Sequence, residues 1–142
     1  MSKKDIGKTR HDWLVLMLYE SLRSSSFNPT NEDYQTAKVL FESYNTVLEN
    51  LEEATKFIGN GFSYLEPFYR YQIGKHKFEI DIFGIRDNFV TGIEVKCKKP
   101  KRLKYQKSRF ADFARKKYAE LIPELYYFSG MNGIRLEDIE DY

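Results

Sequence analysis

Within residues 78–99, FEIDIFGIRDNFVTGIEVKCKK, three charged side chains interrupt runs of strand-forming residues: Asp81, Glu94 and Lys96. Strand interiors favour Val, Ile and Phe and deplete Asp, Glu and Lys, so charges at these points mark either a site or an exposed sheet face. Side chains alternate across a strand, which puts Glu79, Asp81 and Phe83 on one face and Glu94 with Lys96 on one face of the next strand. The turn between the strands decides whether the two acids meet. If Asp87-Asn88 is a two-residue hairpin loop, Arg86 pairs with Phe89, and stepping outward in register brings Asp81 directly across from Glu94. Opposed residues have Cβ atoms about 4.5–5.5 Å apart, and two like charges at that distance destabilise a sheet. A divalent cation offsets the repulsion. Mg²⁺ commonly takes one or two carboxylates, with water and phosphate oxygens completing its shell. Lys96 then projects beside the site, where it can orient an attacking water or balance charge growing on a phosphate.

The competing reading is a charged, solvent-facing sheet face on which Lys96 pairs with one of the acids. Glu-x-Lys is a common triplet. In this chain, however, no other Asp or Glu is followed by Lys two residues later, and this one lies in a hydrophobic strand just after another strand with an embedded Asp.

The elements that must position these residues follow from periodicity and punctuation. Residues 1–8, MSKKDIGK, read as a loose basic arm. Thr9 with Asp12 resembles a capping box, and Trp13, Leu14, Leu16, Met17, Leu18 and Leu22 then give a helix that is apolar over most of its circumference. Such a helix is buried within its own domain or forms a homodimer contact. Thr30 with Asp33 repeats the cap, and Tyr34, Ala37, Phe41, Tyr44, Leu48, Leu51 and Ile58 predict one long amphipathic helix as far as Gly59. Its other faces carry Glu42, Glu49, Glu52 and Glu53. Three strands follow, at 64–73, 77–83 and 89–97, and their short connections predict an antiparallel meander. A helix over 103–121 turns Phe110, Phe113, Ala114, Tyr118 and Leu121 inward, Pro123 stops it, and residues 125–129 form a last strand. The acidic tail from Arg135 reads as peripheral.

The totals set bounds. A chain of 142 residues with 42% apolar residues has room for one domain, expected over 9–142 with its core at about 31–129. A single cysteine, Cys97, excludes an internal disulfide framework and a cysteine cluster for zinc, which favours a reducing, intracellular setting. No signal-peptide pattern opens the chain, and its most apolar segment, 13–18, is too short to cross a bilayer, so no membrane partner is expected. The 23 basic and 21 acidic residues nearly cancel, but residues 96–117 are rich in Lys and Arg. Lys98, Lys99, Lys101, Arg102, Lys104, Gln106 and Lys107 then make a surface able to meet nucleic-acid phosphates, a solvated helix face being the commoner use of such a run.

The arrangement of Asp81, twelve intervening residues and Glu94-Val95-Lys96 resembles the PD-(D/E)XK nuclease superfamily. The order helix, three-strand meander, helix, strand is similar to that family's α/β, restriction-endonuclease-like core, here with an extra N-terminal helix. The resemblance implies Mg²⁺-dependent hydrolysis of DNA phosphodiesters, with Mn²⁺ as a substitute. It implies that Asp81 and Glu94 hold metal, that the Val95 backbone carbonyl adds a ligand, and that Lys96 assists the water. Ile80 stands where the named motif has Pro. Gln106 followed by Phe110 resembles the Gln-x-x-x-Tyr element of exonuclease branches but lacks the Tyr, so that branch is not assigned. Many members place an acid on the helix before the meander, for which Glu49 is the candidate, with Glu42 and Glu52 nearby. Asp12, after a basic start, is similar in position to an early helix acid of the dimeric Holliday-junction resolvases, although those lack the long second helix. The leading expectation is a DNA endonuclease, with branched or junction DNA among its possible substrates. The alternatives are a non-catalytic nucleic-acid-binding protein on the same fold and an interaction protein that dimerises through its first helix.

Overall fold

A computed structural model describes residues 2–97 and 103–139. These form four helices and a mixed five-stranded sheet, an α/β fold. They divide into two compact units, one of residues 2–60, 95–97 and 128–134, the other of residues 61–94, 103–127 and 135–139.

In the first unit, helix α1 spans Lys3–Ser24. Residues 3–8 are therefore helical rather than a loose arm. The same Ser/Thr-x-x-Asp spacing also occurs nearer the start of the chain than Thr9–Asp12: Ser2 is the cap, its Oγ accepting from the Asp5 amide at 3.2 Å. Thr9 lies inside the helix, donating to the Asp5 carbonyl. Leu14, Val15, Leu18 and Leu22 are buried, and α1 packs chiefly on α3, so much of its apolar stripe is covered within this unit.

The single long helix expected over 30–59 is two, α2 at Asn31–Leu40 and α3 at Tyr44–Ile58. The Thr30–Asp33 capping box is present as expected. Phe41 then leaves helical geometry at φ −129, ψ 128, and Arg10 Nε donates to the Leu40 carbonyl, which the break leaves without a helical partner. Phe41 is buried with its ring 5.7 Å from that of Trp13. An apolar residue at helical spacing can pack equally well from a kink, so periodicity passes over the break.

In the second unit, β1 (Tyr64–Ile73), β2 (His76–Arg86) and β3 (Phe89–Lys96) form the expected antiparallel meander. Helix α4 spans Leu103–Lys117, four residues shorter than expected, and β4 starts early, at Ile122, with Pro123 inside it. The backbone leaves α4 through Tyr118, and the Ile122 amide donates to the Asn88 carbonyl at 2.7 Å, which starts the strand before the proline. A fifth strand, β5 at Gly133–Glu137, occupies part of the tail read as peripheral. Its signal was the turn-forming Gly130-Met131-Asn132-Gly133 between two β-favouring runs. The strand order is β1-β2-β3-β4-β5. The core of this unit lies where Phe110, Ala111, Phe113 and Ala114 of α4 meet Tyr71, Ile80, Phe83 and Val90 of the meander.

Candidate active site

The turn behaves as the sequence requires. Arg86 pairs with Phe89, so Asp87-Asn88 is a two-residue loop, and Asp87 takes the left-handed φ of +46 that Asp tolerates better than most residues. The ladder then steps through Ile85–Val90, Gly84–Thr91 and Phe83–Gly92 to Ile82–Ile93. The ladder ends there, with Asp81 and Glu94 each the next residue beyond it along its strand. Each is only 6% exposed, which removes the reading of a solvent-facing charged surface for these two residues.

Two further features surround the pair. On the other side of β2, the β1–β2 ladder passes from Pro67–Ile82 to Tyr69–Ile80, stepping over Phe68 and Asp81. Phe68 there has a φ of +53, an uncommon conformation for a bulky residue. Ile80 and Phe83 belong to one core cluster although strict alternation would separate them, so the strand turns about its axis at Asp81. Such outliers concentrate at functional sites.

Helix α4 supplies the third side. A Cβ on Gly92 would lie 2.7 Å from the Phe110 ring and 2.6 Å from Ile80 Cδ1, so only glycine lets the helix approach β3 this closely. That approach brings Gln106 to Glu94, its Nε2 donating to Glu94 Oε2 at 3.2 Å, while Gln106 Oε1 is buried without a hydrogen-bond partner. Tyr71, buried on β1, is pushed up to about 12 by burial, with Arg109 pulling its pKa down and Glu94 pushing it up. It keeps its proton at neutral pH between those two charges. Tyr71 and Arg109 were not among the sequence candidates, because only the tertiary structure brings both Arg109 and Glu94 within electrostatic reach of Tyr71.

The other candidates are distributed as follows. Val95 is buried and Lys96 half-buried at the end of β3, where the Lys96 carbonyl accepts from the Gly130 amide at 3.1 Å. Both belong to the first unit. Glu49 is exposed on α3, as are Glu52, ion-paired with Lys56, and Glu42 in the break before α3. Asp12 is half-buried; burial raises its pKa, but hydrogen bonds from His11 and Lys8 outweigh that and hold it below the usual carboxylate value. Lys104 is exposed on α4, whereas Lys107 is 18% exposed and paired with Glu137 at 3.0 Å. Lys98, Lys99, Lys101 and Arg102 lie outside the described residues. Among the described residues there is no group of three or more His, Cys, Asp or Glu side chains that could hold a metal ion. No described helix is long and apolar enough to cross a membrane.

The chain matches no protein-family model, and no curated protein matches it.

Proposed function

We propose that this protein is a metal-dependent DNA endonuclease of the PD-(D/E)XK kind, on a restriction-endonuclease-like core. The observation that carries the reading is the burial of Asp81 and Glu94 just beyond the last pair of the β2–β3 ladder, Ile82–Ile93. The donor set suits a hard cation: beside the carboxylates, the orphaned Gln106 Oε1 is an oxygen that a cation would satisfy. Asp81, Glu94 and Gln106 would then hold Mg²⁺ or Mn²⁺, with the Val95 carbonyl as a further oxygen. When bound, the metal supplies a lowered pKa for water and a positive charge facing the phosphate.

The chain's own residues do the rest. Gln106 orients the Glu94 carboxylate through its amide N–H. Lys96, two residues after Glu94 on β3, is assigned the ammonium that steadies the attacking water or the developing charge. The neutral Tyr71 hydroxyl adds a donor near Glu94. Cleavage of nicked, branched, duplex and single-stranded DNA with Mg²⁺ or Mn²⁺ tests this. Chelation with EDTA is expected to abolish cutting, and Asp81→Ala, Glu94→Ala or Lys96→Ala to lower it by more than about 100-fold. Cutting that survives these changes would sink the assignment.

A second reading, a non-catalytic nucleic-acid-binding protein on the same fold, draws on the basic residues of α4, with Arg115, Lys116 and Lys117 in its last turn. It predicts salt-sensitive binding that persists in Asp81→Ala and Glu94→Ala, with no cleavage under either metal.

A further inference from the structure

An open groove of about 340 Å³ runs along α4 beside the end of the β1–β2 hairpin. Its apolar wall is Ile73 and Phe78, and its polar wall is Ser108, Arg109 and Arg115, with His76 and Asp112 also lining it. The Arg109 guanidinium lies over the Phe78 ring, 4.7 Å from its centroid, which fixes the plane of the fork. Its Nε is buried with no hydrogen-bond partner, and among the described residues Arg109 makes no ion pair. Arg86 and Lys107, comparably sheltered, are each matched to a carboxylate. Asp112 is the one acid of the groove, and Lys116 holds it at 3.2 Å. A partly buried arginine held flat and without a carboxylate partner leaves a desolvated charge, a cost that an anion in the groove would lower.

We infer that this groove binds a phosphate of a nucleic-acid strand, with Arg109 as its anchor. The inference rests on the proposed function for its choice of phosphate over other anions. Arg109 follows Gln106 by three residues, about 4.5 Å along the helix, so the groove opens one turn of α4 from the carboxylate pair. A strand crossing Asp81 and Glu94 therefore presents a neighbouring phosphate to the arginine. The guanidinium fork suits two phosphate oxygens, and the Ser108 hydroxyl and His76 ring can donate to the others.

The test is fluorescence anisotropy of labelled single-stranded and duplex oligonucleotides in EDTA, where binding is read without cleavage. Arg109→Gln is expected to weaken binding about tenfold and to reduce the slope of log affinity against log salt by about one. Ser108→Asp, at an exposed helical position that tolerates the change, adds a negative charge to the groove and is expected to weaken binding at least as much. Thermal melting checks that each variant folds. Inorganic phosphate and mononucleotides, titrated as competitors, separate a site for free phosphate from one that needs a strand; the inference expects competition only at high concentrations. Unchanged affinity and salt slope in both variants overturns the groove, as does equal affinity for free phosphate and the oligonucleotide. If Asp81→Ala abolishes cleavage while both groove variants bind normally, the nuclease reading stands and this inference falls. If the groove variants lose binding in a protein that never cuts, the reverse holds.

Discussion

At the scale of single residues, the chain uses carboxylates in two ways. Glu124 is matched: its Oε1 accepts from Arg86 at 3.1 and 3.0 Å and from the Thr91 hydroxyl at 2.7 Å, and Arg86 also donates to the Tyr126 hydroxyl at 2.9 Å. Arg86 and Glu124 are 13% and 12% exposed, so removing one charge strands the other. Glu124→Gln is expected to destabilise the protein by about 3 kcal/mol, and Thr91→Val, which removes one hydrogen bond at similar size, by about 1 kcal/mol. Urea unfolding measures both; a loss below about 1 kcal/mol for Glu124→Gln contradicts the account. Glu94 takes an amide donor from Gln106, whose own oxygen is left over. Asp81, Glu94 and Lys96 stood out in the sequence because charge is rare among strand formers. Gln106 stood out less, through its spacing to Phe110. Arg109 and Tyr71 had no local signal, since an arginine on a helix and a tyrosine on a strand are ordinary until their neighbours are known.

At the scale of elements, the close approach of α4 to β3 is the feature on which the candidate site depends. Gly92→Ala would place a methyl group within 2.7 Å of the Phe110 ring and 2.6 Å of Ile80 Cδ1. Overpacking of this kind costs about 1–3 kcal/mol and pushes the helix outward. The expected result is a lower unfolding midpoint together with a loss of metal-dependent cleavage, because Gln106 moves away from Glu94. A variant with wild-type stability and cutting would show that the contact is unimportant. Far from the site, Thr30→Ala removes one half of the α2 capping box and is expected to cost about 1 kcal/mol with cleavage unaltered. Capping and turn chemistry are local, so Thr30–Asp33 and Asp87-Asn88 were legible. The break at Phe41 was not, because Arg10, distant in sequence, satisfies the freed carbonyl.

At the scale of the whole molecule, the many aromatic residues give the protein a characteristic response to alkali. Burial is the main cause that pushes both Tyr71 and Tyr127 up to about 12, from 10.0 for an exposed tyrosine. A folded-state pKa raised in this way contributes stability that is fully present below pH 10 and lost as pH rises toward 12. The urea midpoint is expected to fall across that window, and less steeply in Tyr71→Phe, which keeps the ring and removes the titrating hydroxyl. An identical fall in the variant would rule out Tyr71 as a contributor. The sequence by itself determined the class of fold, the meander and its register, because alternation, helical period and a two-residue turn are properties of neighbours along the chain. It also singled out the two acids that follow the last pair of the β2–β3 ladder. Only the tertiary structure decided that those acids are buried, that Gln106 meets Glu94, and that Arg109 lines a groove whose acid, Asp112, is already paired with Lys116. Each of these depends on how closely α4 packs on the sheet, a long-range contact that no window of sequence contains.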